Sequence, residues 1–82
     1  MELELPIFHH SDNTISLKDM GIDYSLSDCE VKSITFYNIN AISVYIDGEN
    51  EYCSIHCNNL EYICPQTHRE VKSLIRKAKN NN

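Results

Sequence analysis

Twelve residues in the second half of the chain constrain the fold most: Cys53-Ser54-Ile55-His56-Cys57-Asn58-Asn59-Leu60-Glu61-Tyr62-Ile63-Cys64. Two alternating runs flank an Asn-Asn pair, and Asn is one of the few residues that tolerates the left-handed backbone a two-residue hairpin loop needs. If Asn58-Asn59 is a type I′ loop, then Cys57 faces Leu60, Ile55 faces Tyr62 and Cys53 faces Cys64, all on one side of a sheet. Tyr52, Ser54, His56, Glu61 and Ile63 take the other side. One face is apolar and thiol-rich and the other mostly polar, the pattern of an antiparallel sheet with one buried face.

The residues after the hairpin are equally specific. Pro65 closes the strand because it cannot donate to a ladder, and Thr67-His68-Arg69-Glu70 matches a capping box, so a helix is expected from His68 to about residue 79. Val71, Leu74, Ile75 and Ala78 fall on one apolar stripe that must bury against the sheet or another chain. The Asn80-Asn81-Asn82 tail is expected to fray.

Upstream, Leu3, Leu5 and Ile7 alternate with Glu2, Glu4 and Pro6, which reads as a short edge strand over residues 1–8. A second strand begins at Glu30 and carries Val31, Ile34, Thr35, Phe36 and Tyr37, ending in a turn or bulge at Asn38-Ile39-Asn40. A third, Ala41 to Ile46, places Ile42, Val44 and Ile46 on one face and Ser43 and Tyr45 on the other. The chain then reverses at 47–50, where Asp47 and Gly48 are both expected to accept positive φ. Ile15 to Asp28 has only weak periodicity, interrupted by Gly21, and supports no assignment. The expected fold is a single α+β, mainly β domain: a small antiparallel sheet or SH3-like, partly open barrel of about 4–5 strands with one C-terminal α-helix.

Charge is distributed unevenly. The net charge is −5, yet residues 1–30 hold seven acidic groups against Lys18 alone, whereas residues 65–82 hold Arg69, Lys72, Arg76, Lys77 and Lys79 against Glu70. The simple reading of the basic helix is a solvated face whose cations complement the helix dipole. The sharper one is a surface for nucleic acid or an acidic partner, built on Arg69, Lys72, Arg76 and Lys79. Without interleaved aromatic residues or a nucleic-acid motif, nucleic acid ranks last among the expected partners.

No apolar run approaches the roughly 18 residues of a membrane span, and the start Met-Glu-Leu-Glu-Leu-Pro lacks the basic and apolar regions of a signal peptide. We therefore expect no membrane partner and a cytoplasmic protein, in which Cys29, Cys53, Cys57 and Cys64 are reduced thiols. Asn, Ile, Lys and Tyr make up 29 of the 82 residues, a bias of AT-rich coding sequences such as many bacterial and phage genomes have.

Catalytic and metal chemistry are weakly supplied. Cys53-x3-Cys57-x6-Cys64 is not a zinc-knuckle spacing, and His56 is expected to point away from the thiols, so no metal and no cofactor are expected and the cysteines read as small core hydrophobes. Oxidation would offer only a cross-strand Cys53–Cys64 bridge. Adjacent Cys57 and His56 point to opposite faces, and His9-His10 beside Ser11 and Asp12 reads as a polar loop rather than a catalytic group. With only Gly21 and Gly48, the chain has no glycine-rich phosphate loop. The chain is expected not to be an enzyme. Tyr45, Tyr52, Ser54, His56 and Glu61 are the candidate ligand- or partner-binding residues. An 82-residue chain buries only about 60% of its unfolded surface, so a homo-oligomer is expected, with a host protein or small ligand as further partner.

From Asn58 to Ile75 the chain resembles the end of the small flagellar and swarming-motility proteins of the FlbD type, in which an Asn-Gly turn, a Tyr-bearing strand, a Ser cap and a Glu-Val pair precede a helix. Asn58, Tyr62, Thr67, Glu70 and Val71 match at the same spacing; Asn59 replaces the Gly, and Cys53 and Ile55 are out of phase with that family's strand. The same ending is similar to many short phage and mobile-element proteins. The resemblance covers less than a quarter of the chain, implies a small β-rich domain capped by a helix, and carries over no catalytic residue. The functional expectation is a non-enzymatic phage or mobile-element accessory or anti-defence factor, which as an oligomer inhibits a host protein or sequesters a small ligand. The alternatives are a motility-type regulatory or structural accessory protein, and nucleic-acid binding through the basic helix.

Overall fold

The computed structural model describes residues 1–10, 15, 18–21 and 26–80. Five strands form two antiparallel sheets: β1 (Leu3–His9) pairs with β2 (Glu30–Phe36), and β3 (Ala41–Asp47), β4 (Asn50–Cys57) and β5 (Leu60–Cys64) lie side by side in the order β3-β4-β5. A C-terminal helix, α1 (His68–Asn80), joins the mainly β fold, and Ile15, Lys18 and Asp19 are also helical. Among the described residues the sheets do not close into a barrel, although β1 runs close to β5.

The Asn58-Asn59 hairpin has the expected register, with Cys57 opposite Leu60, Ile55 opposite Tyr62 and Cys53 opposite Cys64. Both loop residues are left-handed, at φ 52° and 67°. The preceding turn differs from expectation. Asp47 pairs with Asn50, so the loop is Gly48-Glu49, and only Gly48 has positive φ, at 63°. Glycine at the first loop position is the requirement of a type II′ turn, which leaves Asp47 in the strand. Its carboxylate there accepts the Leu26 N–H at 3.4 Å, beside a short 3-10 turn at Leu26–Asp28.

The capping box forms as the spacing requires: the Glu70 N–H donates to Thr67 Oγ1 at 3.2 Å and the Thr67 N–H to Glu70 Oε1 at 3.3 Å. The helix runs one residue further than expected, through Asn80. Residues 81 and 82 of the expected tail lie outside the described residues, as do Ser11 and Asp12 of the polar stretch after β1.

Leu5 and Ile7 from β1, Phe36 from β2, Cys53, Ile55 and Cys64 from β4 and β5, and Val71 from α1 form the buried core. Phe36 and Tyr62 meet edge to face with ring centroids 5.3 Å apart, tying the two sheets together. Burial pushes the Cys53 thiol up to about 11, reinforced by the neighbouring Cys64 and opposed by a hydrogen bond with the main chain of Ser43. Cys64 is raised as well, mainly by burial. Both are therefore neutral at pH 7 and pack as small hydrophobes.

The core does not fill the whole inner face. Val44 and Ile46 share that face with Cys53 and Ile55 by register, yet are 52% and 61% exposed. Both lie from the middle of β3 toward the hairpin turn, so part of the apolar inner side is open to solvent there.

Candidate functional site

The outer face of the β3-β4-β5 sheet gathers most of the candidate binding residues. Register sets Tyr45 opposite Tyr52, Ser43 opposite Ser54, and His56 opposite Glu61. Strand alternation then places all six side chains on one surface.

At its centre is Ser54, which is only 1% exposed. Its burial departs from the expected pattern of a sheet with one buried face. Phe8 and His9 at the end of β1, His10 after it, and Leu26 and Cys29 before β2 line a 260 Å³ cavity with Glu61, Tyr62 and Ile63 of β5. Phe8 stacks edge to face on Tyr52 at 5.2 Å, so Tyr52 is half-buried and acts as an anchor. Tyr45, His56 and Glu61 remain accessible.

Ser54 Oγ donates to Glu61 Oε2 at 2.5 Å, and His56 Nε2 lies 3.4 Å from the same Oγ and 3.3 Å from Ser43 Oγ. The His56 Nε2 to Glu61 Oε2 distance is 4.0 Å. With its proton committed to Glu61, Ser54 Oγ can meet His56 Nε2 only as an acceptor, whereas Ser43 Oγ can donate to or accept from that nitrogen according to the tautomer. This hydroxyl, imidazole and carboxylate form a linked network whose exposed ends are His56 and Glu61. Asn40, His56, Cys57, Asn59, Leu60 and Glu61 line a second 260 Å³ cavity at the edge of the network.

Position within the network is set by backbone contacts nearby. The Tyr37–Asn40 link between sheets is pinned to the hairpin: Asn40 donates its N–H to the His56 carbonyl at 2.9 Å, Asn40 Oδ1 accepts from the Asn58 N–H at 2.9 Å, and Cys57 Sγ donates to the Asn38 carbonyl at 2.8 Å. Ser43 was not among the sequence candidates. Its place is fixed by the pairing of β3 with β4 across a two-residue loop, which sets it opposite Ser54.

The basic residues form a separate surface. Arg69, Lys72, Arg76 and Lys79 are exposed along α1. Arg69, Lys72, Ser73 and Arg76 line one surface cavity of 320 Å³. Lys72 and Lys79 also border a 360 Å³ cavity with Tyr37, Ile39, Ile42 and Ile75, between the helix and the link entering β3. Among the described residues no group of three or more His, Cys, Asp or Glu side chains converges as a metal site, and no helix is long and apolar enough to cross a membrane.

No protein-family model, curated protein or solved structure matches this chain.

Proposed function

We propose that this chain is a non-enzymatic binding protein that engages another protein through the outer face of β3-β4-β5. The observation that carries the reading is the Ser54–His56–Glu61 network. A nearly buried serine holds an imidazole and a carboxylate in place at the surface of a rigid sheet, with Tyr45 exposed beside them. Preorganised polar groups next to an accessible aromatic ring are the composition of recognition surfaces.

The same geometry argues against nucleophilic catalysis. A serine nucleophile needs its hydroxyl proton directed at the base and its oxygen open to substrate. Here the proton goes to Glu61 rather than to His56, and the oxygen is enclosed.

The setting this reading fits is a cytoplasmic accessory protein of a phage or mobile element, acting as an oligomer to inhibit a host component. The AT-rich residue bias and the small size of the chain support that setting. Capture from a bacterial lysate, followed by native mass spectrometry, tests it. One partner recovered in stoichiometric amount by the wild type and lost with Tyr45→Ser plus Glu61→Lys is the expected result; capture insensitive to that variant would refute the outer-face reading.

A second reading has one specific support, the cavity lined by Arg69, Lys72, Ser73 and Arg76 without a carboxylate. It predicts a salt-dependent gel shift that Lys72→Glu plus Arg76→Glu abolishes, and an absent shift at low salt eliminates it.

A further inference from the structure

β3 forms one edge of its sheet: β4 lies along one side, and among the described residues no strand lies along the other. An edge strand presents a row of main-chain donors and acceptors, and soluble proteins usually protect such rows with Lys, Pro, a bulge or a covering element. Ala41–Asp47 reads Ala-Ile-Ser-Val-Tyr-Ile-Asp, with no Pro and no cation. Ser43, Val44, Tyr45 and Ile46 are all exposed along it. This is a seven-residue, β-branched edge along which the described residues place no strand, the turn at Leu26 meeting it at Asp47.

We propose that β3 pairs antiparallel with β3 of a second copy of this chain, about a two-fold axis at Val44, to make a continuous six-stranded sheet. The proposal rests on the oligomeric part of the proposed function and not on its outer-face partner.

Three features make the second copy the occupant. The strand is self-complementary in this register, with Val44 opposite Val44 and Ile42 opposite the partner's Ile46, so the apolar inner row continues across the junction and covers the emergent Val44 and Ile46. Like charges are kept apart, because Asp47 lies opposite the partner's Ala41, which puts the two Asp47 residues at opposite ends of a strand pair about 20 Å long. Charge is complementary at both ends. Each β3–β4 hairpin carries Asp47, Glu49 and Glu51 at its tip, and the register brings that tip beside the Ala41 end of the other copy. There Lys72 and Lys79 share a cavity wall with Ala41 and Ile42.

Because residue 44 meets itself only about that axis, charge swapping reads the register directly. Sedimentation velocity of the wild type should give a dimer of the 9.5 kDa chain. Val44→Lys alone and Val44→Glu alone should each dimerise at least tenfold more weakly, with unchanged far-UV circular dichroism because the position is half exposed. An equimolar mixture of the two should recover the dimer as a mixed pair. Concentration-dependent hydrogen exchange of the wild type gives an independent reading, with amides of 41–47 slowed at least tenfold in the dimer. A wild type that stays monomeric at high micromolar concentration overturns this proposal and the oligomeric reading together. A dimer that ignores both substitutions, a mixture that fails to recover, or unchanged exchange in 41–47 overturns the β3 pairing while leaving an oligomer elsewhere.

Discussion

Ser54 organises the outer face, and its burial changes what its neighbours can do. Its hydroxyl bonds Glu61 and meets His56, so Ser54→Ala removes a buried donor while the exposed Glu61 recovers water. The expected cost is about 1 kcal/mol in urea unfolding, with weaker partner binding because His56 and Glu61 lose their common anchor. Cys53 makes a second residue-level prediction. Its thiol is held up to about 11 by burial, with Cys64 adding to the effect, whereas in an unfolded chain it titrates near 9. Between those values the unfolded state has released a proton that the folded state keeps, so stability present below pH 9 is lost as pH rises toward 11. Cys64 shifts in the same direction and adds to the slope. Urea midpoints that fall between pH 9 and 10.5, with a shallower fall in Cys53→Ala, are the expected result; a profile as steep in the variant would contradict it. The thiol face was legible in the sequence because alternation across a two-residue loop fixes facing pairs. Burial of Ser54 was not legible, since alternation tells which face a side chain takes but not what packs over that face, as Phe8 does on the neighbouring Tyr52 from far away in the sequence.

At the level of elements, local chemistry and long-range pairing differ in how they can be read. Thr67 and Glu70 announce the start of α1 within four residues, and the structure makes both capping bonds. Thr67→Ala should destabilise the protein by about 1 kcal/mol, measured as a shift in the urea midpoint. The Asn58-Asn59 loop holds two left-handed residues. Asn59→Ala should therefore cost about 1 kcal/mol, while Asn59→Gly should be neutral or stabilising. If both substitutions act alike, the loop does not need its left-handed backbone. By contrast, nothing in the sequence says that β2 pairs with β1 rather than with β3. The Asn38-Ile39-Asn40 segment looks like a hairpin turn, but it carries the chain from one sheet to the other and is held there by bonds to the second hairpin. Sheet membership depends on which apolar faces enclose the core together, a three-dimensional condition that periodicity does not encode. The residues resembling the motility family, Asn58, Tyr62, Thr67, Glu70 and Val71, serve the turn, the ring contact, the cap and the core, and so account for a local shape without indicating a task.

At the scale of the whole molecule, the core of seven buried hydrophobic side chains among the described residues is small, and each member matters. Ile55 is fully buried between the sheets and the helix, and Ile55→Ala should cost about 2–5 kcal/mol, enough to unfold a domain of this size at moderate temperature. Thermal melts of that variant, with and without excess partner, would show how much of the stability comes from association. The surfaces divide by chemistry: an outer face with a fixed polar network, a basic helix, and an apolar strand edge ending in an acidic tip. Binding of a protein partner by the outer face is tested most directly by calorimetric affinity for the captured partner, with Glu61→Lys set against Lys72→Glu. At least a tenfold loss for Glu61→Lys and little change for Lys72→Glu are predicted. Equal affinity for wild type and Glu61→Lys, with the loss confined to Lys72→Glu, would contradict it.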